Sequence, residues 1–97
     1  MEFLAFDIPG AAAVAIGSGA ADIGFLAVDP QRAHSIHFTQ PYVRMEATYL
    51  VRDGSPIRTL TDVDREGIRV VAGAGSAYEL FLSRQLKHAQ VVKVPTV

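Results

Sequence analysis

Arg32 stands four residues beyond an apolar run, Asp22–Val28 (DIGFLAV), just after the break Asp29-Pro30. A guanidinium carries a charge that pH cannot remove. Its planar fork of donors matches a carboxylate with two parallel hydrogen bonds. In open α/β sheets ligands bind just beyond the carboxyl ends of strands, and this arginine falls at such a place. The chemistry implied is capture of a small anion. Asp29, three residues earlier, offers the plainer alternative of a surface ion pair.

A second anion site is written in GAGSAYE, Gly73–Glu79. The glycines let the backbone turn successive N–H groups toward one point. Ser76 and Glu79 have the S-x-x-E spacing of a capping box at a helix start. A strand, a glycine loop and a helix N-terminus together attract an anion. The same box starts a helix whether or not an anion comes. It is not a dinucleotide fingerprint, because the third glycine position is Tyr78 and no acidic residue follows at about 20 residues.

Other chemistry-bearing residues lead to less. His34 and His37 lie three apart, but there is no cysteine and no well-placed third ligand, so no metal is expected. Asp62 and Asp64 read as caps and solvated charges, without the spacing of a calcium loop. No nucleophile, base and orienting group can be read together, and no cofactor is implied.

The elements that must position these groups alternate between strand and helix. Glu2–Phe6 reads as a short strand and the alanine-rich Gly10–Ile16 as a helix stopped by Gly17-Ser18-Gly19. Asp22–Val28 reads as a strand covered on both faces. Asp29 and Pro30 then suit the N-cap and first position of a short helical turn, Pro30–Ser35, that carries Arg32. Ile36–Phe38 returns to extended chain, and Arg44–Arg52 is a further strand.

Asp53-Gly54-Ser55-Pro56 is the strongest loop and divides the chain into 1–52 and 53–97. Beyond it lie a short helix at Thr61–Asp64, a strand at Ile68–Ala72 and a helix at Ser76–Leu86. A last strand, Val91–Val94, ends at Pro95. Tyr78, Phe81, Leu82 and Leu86 share one side of the second helix, and Lys87 and His88 follow where positive charge suits the dipole. This order argues an α/β fold with a largely parallel sheet.

Composition bounds the function. The chain has 97 residues, 49% apolar and 20% charged, enough for one small domain. A net charge of -1 provides no basic stripe, so nucleic acid is not an expected partner. No apolar run approaches the roughly 18 residues of a membrane span. The N-terminal stretch carries Glu2 and Asp7 where a signal peptide would be basic, so no signal peptide is read.

The run AADIGFLAVDPQRAHSIHFTQPY resembles the middle of the first lobe of type 2 periplasmic solute-binding proteins, the amino-acid receptors of ABC importers. Asp22, Arg32, Phe38-Thr39 and Pro41-Tyr42 match the family pattern in order. SPIRTLTDVDREGIRVVAGAGSAYELFL resembles the entry into the second lobe. The resemblance implies that Arg32 grips a ligand carboxylate and that Gly75-Ser76-Ala77 offers backbone N–H groups to the same ligand. It implies a parent that is periplasmic, delivers a small carboxylate to an ABC permease and does no chemistry.

Two departures qualify the match. The family often has a threonine five residues before the arginine, where this chain has Ala27, so either the ligand is not a standard α-amino acid or backbone around Phe25 to Ala27 takes a larger share. The chain also spans less than half of the family's fold. Dehydratase-like enzymes and sensor domains share the scaffold and are the alternatives. A half-fold leaves strands without neighbours, so self-association is expected, with exchange of Ser55–Val97 between copies as one route.

Overall fold

The computed structural model describes residues 1–95. Pro9 opens the first helix at a position where its missing N–H is no loss, and the alanines that follow are strong helix formers. Helix α1 spans Pro9–Gly17. Its end is closed by the Ser18 N–H donating to the Val14 carbonyl at 2.9 Å.

Asp29 folds the chain back on itself after residues 22–28. Its Oδ1 accepts from the Gln31 N–H at 2.8 Å, and its carbonyl accepts from the Ala33 N–H at 3.0 Å. The result is a single 3-10 turn, Arg32–His34, carrying the arginine as the Asp-Pro signal predicts.

The second half is a strand–helix–strand unit. β1 (Arg69–Gly73) and β2 (Gln90–Val94) pair in parallel, with Arg69 opposite Gln90 and Gly73 opposite Val94. Helix α2 (Ala77–Gln85) is the crossover that a parallel pair requires. Backbone bonds from Gln90 to Ile68 (2.8 Å) and from Ala74 to Val94 (2.7 Å) extend the ladder at either end. The chain is thus of α/β class, with a two-stranded parallel sheet.

Strands expected at 2–6, 22–28 and 44–52, and the extended stretch at 36–38, form no ladder among the described residues. An apolar run becomes a strand only when a neighbour bonds its edge. β1 and β2 supply each other with that edge across one helix, whereas the earlier runs have none.

The expected apolar side of α2 also needs correction. Leu82 is buried, but Tyr78 and Phe81 are about half exposed, and the inward place at the first turn belongs to Glu79. Glu79 goes inside because it has three partners there, described below.

Two aspartates act as caps. Asp62 Oδ2 accepts from the N–H groups of Arg58 (3.1 Å) and Thr59 (3.0 Å) at the start of the turn Leu60–Asp62. Asp64 does more, because its carboxylate accepts from three successive N–H groups, those of Lys87, His88 and Ala89, at 2.7–3.0 Å. It thereby ties the approach to β1 to the loop before β2.

Those N–H groups, Ala89 first, then His88 and Lys87, hold the Asp64 carboxyl down to about 2. A pKa lower in the folded chain than in the unfolded one gives stability that is complete above the ordinary value of 3.8. That stability is lost as pH falls toward 2. Asp64→Asn is therefore expected to lower the urea midpoint at neutral pH and to flatten its fall between pH 4 and pH 2. An Asn variant with the same acid slope as the parent would refute this.

Candidate functional site

Arg32 is buried, and its fork is turned onto backbone carbonyls. One terminal nitrogen, Nη1, donates to the Ala27 carbonyl at 3.1 Å. The other, Nη2, donates to the Gly75 carbonyl at 2.9 Å, across 43 residues of sequence. The third nitrogen, Nε, is buried without a hydrogen-bond partner. The two places read separately in the sequence as anion sites are thus brought together.

Glycine makes the approach possible. Gly75 has φ +73, in the left-handed region that favours glycine. A Cβ built on it would stand 3.2 Å from the Cα of Gly10, and one on Gly10 would stand 3.3 Å from the Cα of Gly75. The first turn of α1 therefore rests directly on the loop before α2.

Ser76 caps α2, its hydroxyl accepting from the Glu79 N–H at 3.1 Å. The reciprocal bond of the box is displaced by one residue: Glu79 Oε2 accepts from the Gly75 N–H at 3.3 Å. Glu79 Oε1 accepts from the Ser83 hydroxyl at 2.7 Å and meets Lys93 Nζ at 3.1 Å. The Ser83 bond is the main reason the Glu79 carboxyl lies below its ordinary value. Burial opposes that shift, while Lys93 and the Gly75 N–H add to it. The N–H groups of Ala77 and Tyr78, first and second in α2, make no hydrogen bond to a described residue.

Asp29 does not pair with Arg32. Its buried Oδ2 accepts from Arg84 Nη1 at 2.8 Å, 55 residues away on α2. Burial pushes this carboxyl up, but the Arg84 and Gln31 bonds outweigh it, and the group stays below its ordinary value. The sequence holds both residues but no sign of the pairing, which the turn of α2 toward residues 29–32 creates. Arg32 turns instead to the Gly75 carbonyl, which no periodicity could announce.

Phe25 stands apart from this cluster, and Ala27 joins it only through its carbonyl. Both line a groove of about 300 Å³ between residues 22–28 and 36–43, which contains neither Arg32 nor Gly75. Phe25 meets Tyr42 edge to face, with ring centroids 6.2 Å apart. Only the Ala27 carbonyl reaches the arginine. Among the described residues no three histidine, aspartate or glutamate side chains converge on a point, and no helix is long and apolar enough to cross a membrane.

In chemical terms the cluster holds a guanidinium with two of its five N–H groups engaged, beside a helix N-terminus with two N–H groups that bond to no described residue. A carboxylate arriving there could also take the place of the Gly75 carbonyl on Nη2, since a charged acceptor makes the stronger bond. No family model matches the chain, and neither does any curated protein or solved structure.

Proposed function

We propose that the chain is part of a solute-binding receptor of the type 2 periplasmic class. Its ligand is a small, amino-acid-like or organic carboxylate, passed by the full-length parent to an ABC permease. The observation that carries this reading is the meeting of Arg32 with the Gly75 turn. A cation and the start of a helix, 43 residues apart, converge as two halves of one anion site would. The order of the matched motifs supports the same assignment.

Binding without chemistry suits the neighbouring carboxylates. A general acid must be protonated near neutral pH. Asp29 and Glu79 are instead held ionised by Arg84 and by Ser83 with Lys93.

A thermal-shift screen against amino acids and small organic acids tests the reading, since a ligand that favours the folded state raises its melting temperature. For any acid that binds, Arg32→Lys keeps the charge but loses the fork, and its affinity should fall by about 1–3 kcal/mol in titration calorimetry. An acid bound equally well by Arg32→Ala would overturn the assignment.

A further inference from the structure

The chain exposes far more surface than its mass accounts for. A compact chain of 10.4 kDa has about 5,400 Å² of accessible surface. This one has 8105 Å², an excess of about 2,700 Å² over that figure. Its radius of gyration, 15.5 Å, compares with about 12.5 Å for a compact domain of this length.

Residues 42–51 contribute heavily to the excess. Tyr42, Val43, Met45, Leu50 and Val51 are all exposed, Leu50 at 99% and Met45 at 78%. No backbone group of residues 43–51 bonds to another described residue. A run of high β propensity whose backbone groups are unbonded and whose apolar side chains are exposed can pair with a second such run.

We propose that this run is the interface between two copies of the chain, paired as antiparallel strands about a two-fold axis at Met45. The excess of about 2,700 Å² is more than the roughly 800 Å² that one partner buries in an interface of standard size. Charge selects the register. With Met45 opposite its own copy, Arg44 faces Glu46 of the partner subunit, and the symmetry makes that pair twice. Val43 then faces Ala47 of the partner subunit, so Val43, Met45 and Ala47 form one apolar face across both strands. A register centred on Thr48 would set Arg44 against Arg52, and a parallel in-register pair would set Arg44 against itself. Both place like charges together. This proposal does not depend on Arg32 binding an anion.

Sedimentation equilibrium at low micromolar concentration is the test. The unaltered chain should sediment at twice its 10.4 kDa mass. Met45→Asp, which sets two carboxylates opposite each other, should give the monomer. Arg44→Glu should weaken dimerisation about tenfold, and Arg44→Glu combined with Glu46→Arg should restore it. All of these side chains are exposed, so circular dichroism should be unchanged throughout.

A monomeric unaltered chain would overturn the proposal, the run then being open to some other partner. So would a polydisperse aggregate, a Met45→Asp variant that remains dimeric, or a double reversal no tighter than the single one.

Discussion

Gly75→Ala lowers the free energy of unfolding by about 2–4 kcal/mol. Two independent terms add. A residue with a Cβ held at φ +73 is strained by about 1–3 kcal/mol. The new methyl also meets the α1 backbone at Gly10, where no flexible side chain can swing aside. Two other glycines separate the terms. Gly54 has φ +77 with nothing within 4 Å of its would-be Cβ, so Gly54→Ala measures the strain alone. Gly10 has the close approach within helix α1, so Gly10→Ala measures the approach less the roughly 1 kcal/mol by which a helix favours alanine over glycine. Urea denaturation of the three variants gives the comparison. A Gly75→Ala loss no larger than that of Gly54→Ala would mean that the contact between the halves carries no energy.

Arg32→Met should cost about 1–3 kcal/mol of stability before any ligand is considered. The thioether fills much of the volume of the stem but leaves the Ala27 and Gly75 carbonyls without their donor. Each lost partner costs up to the desolvation of its oxygen, less where water can reach it, and both bonds are only partly buried. Removing the unpartnered Nε returns some of that cost, which holds the figure below the sum of two full penalties. A lower urea midpoint at unchanged slope is the expected result. An unchanged midpoint would mean that the arginine holds the two halves together no better than an apolar side chain does. This loss is one of folding, while the affinity loss of Arg32→Lys is read with ligand, so the two roles of the residue can be measured apart.

The sequence read most clearly where structure is local. Gly10–Ile16 foretold Pro9–Gly17, and Ser76–Leu86 foretold Ala77–Gln85, because alanine content, a glycine stop and a serine cap act within a few residues. Ile68–Ala72 and Val91–Val94 came within a residue or so of β1 and β2. Those two runs succeeded where Asp22–Val28 failed, although all three are comparably apolar. What separates them is a partner at the right distance along the chain.

The same contrast holds at the site. The Ser76 cap was legible in S-x-x-E. The partners of Asp29 and Arg32 were not, since a charge chooses among cations and carbonyls only after the chain has folded. Glu79 could be read as a cap but not as the meeting place of Gly75, Ser83 and Lys93.

The unbonded run 43–51 has a mechanical consequence. Nine residues at about 3.3 Å each give roughly 30 Å of contour. That length is the reach of the tether between the segment that carries Arg32 and the strand–helix–strand unit. If the Arg32–Gly75 and Asp29–Arg84 bonds break, the two parts separate without rupturing a backbone hydrogen bond within the run. They remain at a millimolar effective concentration of one another and can rejoin within one molecule. A run paired with a neighbouring strand is held at one length, so whatever pairs with residues 43–51 also governs how far the joint at Gly75 can open.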